Sequence, residues 1–91
     1  MDNLDKAQVF EFTRKLLILG DEFNFSVTSW KRSLRRNIAV GSKFPETSKH
    51  LKWLAVDVVL DSDQDKKKFL ARIKELDMHY LPEGDHIHIQ W

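Results

Sequence analysis

Two histidines, His86 and His88, stand two residues apart near the end of a 91-residue chain, and a third, His50, stands seven residues before Asp57. Residues two apart in a strand leave the same face, so His86 and His88 project together if their segment is extended. Asp57 interrupts the apolar, β-branched run Ala55-Val56-Asp57-Val58-Val59-Leu60. A carboxylate in such a buried strand is costly unless it is paired or lies beside a cation. If the strand of Asp57 neighbours the last strand, two imidazoles and one carboxylate converge. That ligand type, with a fourth position left to water, suits catalytic zinc. Such a centre also needs a base to take a proton from the water and a cation to hold the developing oxyanion. Glu83 and Asp85, just upstream of the histidine pair, are candidates for the first role, and Arg32 for the second. Each has an ordinary alternative. The histidines can be surface groups on a sheet edge, the carboxylates turn residues, and Arg32 one of a surface cluster.

The elements that must position these groups are legible in the pattern of the chain. Val9, Phe10, Phe12, Leu16, Leu17 and Leu19 predict a first helix from about Asp5 to Leu19, closed by Gly20. Phe23 to Ser29 alternates as a strand, and Ser33 to Val40 reads as a short helix capped by Ser33 and ended by Gly41. Ser42 to Lys49, with Pro45, reads as loop. Ala55–Leu60 reads as a buried strand. Asp61, Ser62 and Asp63 are cap candidates for a helix from about Gln64 to Leu76 that buries Phe69, Leu70, Ile73 and Leu76. The end predicts a hairpin: Met78 to Leu81, a Pro82-Glu83-Gly84 turn, then Asp85 to Trp91 with Ile87 and Ile89 alternating against His86, His88 and Gln90. Helices and strands mix without a regular βαβ rhythm. The expected fold class is therefore α+β, a small, largely antiparallel sheet packed with two to three helices.

Composition narrows the function classes. The chain, residues 1–91, has the size of one small domain, and such a domain buries only roughly 60–65% of its unfolded surface. With no cysteine, disulfides, thiolate metal sites and a cysteine nucleophile are excluded. Fifteen basic residues against fourteen acidic leave a net charge of +1, too little to recruit nucleic acid or anionic lipid through a global field. No apolar run approaches the ~18 residues of a membrane span. The opening Met1-Asp2-Asn3-Leu4-Asp5-Lys6 lacks the features of a signal peptide, so synthesis in the cytoplasm is expected.

Taken together, the candidate residues fall into blocks that resemble a known family. Ser48-Lys49-His50 followed by Ala55-Val56-Asp57 reproduces the S-x-H-x(4)-A-x-D signature of the D-alanyl-D-alanine carboxypeptidase-type zinc peptidases, which share their fold with the hedgehog signalling domain. Val27-Thr28-Ser29-Trp30-Lys31-Arg32-Ser33 resembles that family's T-S-x-x-R-S segment. Asn37-Ile38-Ala39-Val40-Gly41 resembles its N-x-A-V-G, and Asp85-His86-Ile87-His88-Ile89-Gln90-Trp91 is similar to its closing D-x-x-H strand. The blocks run in the family's order from Val27 to Trp91 and leave the first helix without a motif.

The resemblance implies a zinc metallopeptidase that hydrolyses the peptide part of bacterial peptidoglycan, as a D,D-carboxypeptidase or an endolysin-type endopeptidase. His50, Asp57 and His88 would hold Zn2+. Asp85 would be the general base, Arg32 would bind the substrate carboxylate or carbonyl and stabilise the oxyanion, and Ser48 and His86 would contact substrate. The partner implied is a stem peptide of the cell wall, reached in a phage-type setting through a membrane lesion. Three departures stand out. Trp53 occupies the position of a family glycine, Ser42 stands where a second glycine is expected after Gly41, and the two histidines admit a second register in which Glu83 works with His86.

Two rival readings remain beside this one. A hedgehog-like binding module would keep the zinc and perform no hydrolysis. A small nucleic-acid-binding domain would use Trp30 and the cluster Lys31-Arg32-Ser33-Leu34-Arg35-Arg36. The second leaves the spacing of His50, Asp57 and His88 as an accident, and the near-neutral chain does not favour it.

Overall fold

The computed structural model describes residues 3–30 and 53–91. The expected helix at Ser33–Val40, the loop at Ser42–Lys49 and the residues Arg32, Ser48 and His50 lie outside the described residues.

Helix α1 spans Asn3–Glu22 and turns Phe12, Leu16 and Leu19 into the core, the i, i+4, i+7 spacing of one helical face. Phe10 and Leu17, also expected on that face, are largely exposed at 71% and 67%. Nor does Gly20 end the helix. The chain stays helical through Glu22, the Phe23 N–H donates to the Leu19 carbonyl at 3.0 Å, and Gly20 does not take the left-handed conformation.

Strand β1 follows at Phe25–Ser29, two residues later than the alternation suggests, and β2 occupies Ala55–Leu60, as the β-branched run predicts. Asp65, rather than Asp61, Ser62 or Asp63, caps the second helix: its carboxylate accepts from the Lys68 N–H at 3.2 Å, and α2 runs Lys66–Glu75. Phe69 and Ile73 of α2 are fully buried, while Leu70 and Leu76 pack at the margin. Lys66, Lys67 and Lys68 are exposed.

The last hairpin is tighter than expected. Strand β3 spans His79–Glu83 and β4 spans His86–Gln90, so Pro82 and Glu83 belong to the strand and Gly84-Asp85 alone makes the turn. Gly84 has φ +63°, which suits the first central position of a two-residue hairpin loop. Pro82 is tolerated because β3 is an edge strand and need not donate to a further neighbour.

The four strands form one antiparallel sheet in the order β1-β2-β4-β3. With the two helices among the described residues, this is the small α+β domain that the mixed pattern predicts. Val56, Val58, Ile87 and Ile89 meet Phe12, Leu16, Leu19, Phe69 and Ile73 in the core, with Phe69 edge-on to Phe23 at 5.2 Å. Strand alternation then commits Asp57, His86, His88 and Gln90 to the other face. Among the described residues, no helix is long and apolar enough to cross a membrane.

Candidate metal centre

Asp57 lies in an inner strand with Ser29 of β1 on one side and His88 of β4 directly opposite on the other. Thr28, at an irregularity in the β1 register, donates its hydroxyl to the Asp57 carbonyl at 3.2 Å and so ties β1 to this residue. The Asp57 side chain is 11% exposed and that of His88 17%, and Asp57 Oδ1 stands 3.1 Å from His88 Nδ1. The second ring nitrogen, Nε2, is 2.9 Å from Oε1 of Gln90. Burial works against the charge on His88. The Asp57 and Gln90 hydrogen bonds and the negative charges of Asp57 and Glu83 outweigh it, so the imidazole titrates above its ordinary range.

A second donor group adjoins this pair. Glu83 and His86 are directly opposite each other where β3 and β4 leave the turn. Asp57, Glu83 and His86 each offer a donor atom, and these atoms lie within 4.8 Å of one another. Asp57 is thus common to two donor sets, with His88 on one side and Glu83 and His86 on the other. Asp85 sits apart in the turn. Its side chain is 96% exposed, and its carboxylate is 3.2 Å from His86 Nδ1.

These residues suit a divalent cation. Asp57, Glu83 and His86 form a possible metal-binding triad, with donor atoms close enough together to share one ion. Imidazole and carboxylate together are donors of the kind that divalent metal sites use.

Of the residues that the sequence singles out, the structure brings together Asp57, His88, His86 and Glu83. His79 is exposed and outside the cluster. The tryptophans serve packing: the Trp30 and Trp53 rings meet edge to face at 5.8 Å, Trp30 Nε1 donates to the Trp53 carbonyl at 3.0 Å, and Lys15 Nζ lies 4.6 Å from the Trp91 ring centre. Trp53 has φ +63°, the left-handed region that favours glycine. Gln90 is the group that motif reasoning missed. Its signal was present in the alternation His86, His88, Gln90, which places all three on one face. Comparison with protein-family models, with curated proteins and with solved structures finds no match.

Proposed function

We propose that this chain is a zinc-dependent peptidase acting on the peptide part of bacterial cell-wall peptidoglycan. The observation that carries this reading is the placement of Asp57 against His88. The two residues, ligands by motif and 31 apart in sequence, face each other at 3.1 Å, with both side chains largely buried. His50, the remaining ligand that the motif implies, would complete the set. A zinc ion bound there would supply Lewis-acid polarisation of the scissile carbonyl and acidify the attacking water.

The chain's own residues then divide the remaining work. A carboxylate takes the proton from the water and returns it to the leaving amine. The motif assigns this role to Asp85. The geometry favours Glu83, whose carboxylate shares the surroundings of Asp57 and His86, whereas Asp85 is turned out into solvent. Arg32 would hold the substrate carboxylate or the oxyanion. A pocket lined by Leu60, Asp61, Gln64, Asp85 and His86 adjoins the cluster at His86.

The test combines metal analysis with digestion of purified peptidoglycan. About one zinc per chain, with release of stem-peptide fragments that stops on chelation and resumes on adding zinc, supports the reading. Zinc without any cleavage would transfer the chain to the class of zinc-containing binding modules.

A further inference from the structure

The hydrogen bond between His88 Nε2 and Gln90 Oε1 has a consequence for how His88 could hold a metal. We propose that Gln90 is a positioning residue that fixes His88 as an Nδ1 metal ligand beside Asp57. This inference rests on the metal reading of the site.

An imidazole that binds a metal offers one nitrogen lone pair to the ion, and its other nitrogen carries a proton that needs an acceptor. Nδ1 of His88 is the nitrogen that faces Asp57, at 3.1 Å, and Nε2 faces away toward Gln90, at 2.9 Å. Gln90 follows His88 by two residues on β4, so strand alternation places both side chains on the same face. The amide can reach back along that face and accept the Nε2 proton. Its own orientation matters because one end accepts and the other donates. With Oε1 toward the ring, Nε2 keeps its proton, and a cation bound beside Asp57 would take the place of the proton that Nδ1 shares with the Asp57 carboxylate. With the NH2 end toward the ring, Nε2 would have to accept, the proton would move to Nδ1, and the lone pair would point away from Asp57.

The contrast with His86 sharpens the assignment. The Nδ1 of His86 is 3.2 Å from Asp85, a carboxylate 96% exposed on a two-residue turn. An exposed turn carboxylate is a weak orienter, since water competes for both partners. Gln90 is partly buried within the strand itself, paired opposite Ala55 of β2 and His79 of β3. The orienting contact therefore distinguishes His88, held by a partner in its own strand, from His86, whose ring shares a donor cluster with Asp57 and Glu83.

The experiment uses the full chain, stripped of metal and titrated with Co2+ and Zn2+ against a chromophoric chelator. The proteins compared are wild type, Gln90→Met, Gln90→Ala, Gln90→Glu and Asp57→Ala. Gln90→Met keeps the length of the side chain and removes the acceptor, so it guards against a simple packing defect in Gln90→Ala. Loss of an outer-shell partner of this kind lowers metal affinity by about tenfold to a hundredfold. That loss is expected in Gln90→Met and Gln90→Ala. Gln90→Glu, which restores an acceptor, should bind near the wild-type level. Long-range proton–nitrogen spectra of the zinc-loaded, 15N-histidine protein should show His88 bound through Nδ1 and protonated at Nε2. Unchanged affinity in Gln90→Met, or His88 bound through Nε2, overturns the proposal while leaving the metal site standing. A wild type that takes up no metal, and so behaves as Asp57→Ala does, removes the metal reading and the role of Gln90 with it.

Discussion

Asp57 and His88 are direct partners across the β2–β4 ladder, and their side chains meet with Oδ1 3.1 Å from Nδ1. The strand pairing, and not a loop, sets this distance. Val56 and Val58 flank Asp57, Ile87 and Ile89 flank His88, and all four apolar residues are in the core. A register slip of one residue in either strand would turn that strand's polar residue inward and its apolar neighbours outward, and so part the pair. The same hydrophobic burial that holds the sheet together therefore holds the two donor groups in register.

Metal should stabilise the fold through that pair. A ligand bound only by the native state at a hundred times its Kd adds about 2.7 kcal/mol. For a domain of this size each kcal/mol is worth roughly 4–8 °C of Tm. Saturating zinc should thus raise the melting temperature by at least ten degrees or so, read by circular dichroism or calorimetry. Asp57→Ala and His88→Ala should each abolish that increment. If zinc leaves the wild-type Tm unchanged, the pair is an ordinary buried salt bridge.

The two candidate bases can be separated kinetically. Removing a general base typically costs about 10²–10⁴ in rate. Glu83→Gln should show a loss of that size in peptidoglycan cleavage while metal content is retained. Asp85→Asn, which alters a side chain 96% exposed in the turn, should lose less than about tenfold. The opposite order would return the role to Asp85, as the motif has it.

Metal-free protein should have a stability that falls as the pH rises past neutrality. The His88 imidazole titrates above its unfolded value of about 6.5, because its bonds to Asp57 and Gln90 and the nearby charges outweigh burial. A group raised in this way contributes its full stabilisation below the unfolded pKa. That contribution is lost as pH climbs through the folded one. Melting temperatures in chelator should therefore be higher near pH 6 than near pH 8, and His88→Gln should flatten the difference. Zinc affinity should run the other way and increase with pH across the same window, since binding needs the neutral imidazole.

Sequence pattern and structure part company where local signals compete. The strand Ala55–Leu60 was legible to the residue because an unbroken β-branched run has few alternatives. The hairpin is legible in kind, but the pattern starts its turn two residues early: proline and glycine both mark turns, and only the edge position of β3 explains why Pro82 sits in a strand. Asp65 does not stand out as a cap in the sequence because three earlier residues, Asp61, Ser62 and Asp63, carry equally suitable side chains. Spacing alone placed His86 and His88 on one face. It could not say that β4 would lie beside β2, since a partner 31 residues away depends on the packing of the whole sheet.

At Trp53 the backbone, more than the ring, should decide which substitution is tolerated. Its φ of +63° lies where a Cβ costs an L-residue roughly 1–2 kcal/mol. Trp53→Gly and Trp53→Ala both lose the ring contact with Trp30, and both keep the carbonyl that accepts from Trp30 Nε1. They differ mainly in the backbone. Glycine loses about 0.5–1 kcal/mol through its freer unfolded chain and regains the left-handed term, so Trp53→Gly should be the more stable of the two. Chemical denaturation of the pair measures this, and alanine ahead of glycine would show that the turn relaxes to a negative φ.

Gly20 should show the reverse order. It lies within α1, at an exposed position, without the left-handed conformation that would require glycine. A methyl group added there meets only the Phe25 Cζ, at 3.9 Å, which is ordinary van der Waals contact. Alanine restricts the unfolded chain and carries the best helix propensity, so Gly20→Ala should stabilise by about 0.5–1 kcal/mol. That is enough to shift Tm upward by a few degrees in a domain of this size. The site on the opposite side of the sheet should be untouched, with zinc affinity and cleavage rate as in the wild type. A loss of stability in Gly20→Ala would mean instead that α1 ends at Gly20 in solution, in the left-handed closure that the sequence pattern alone suggests.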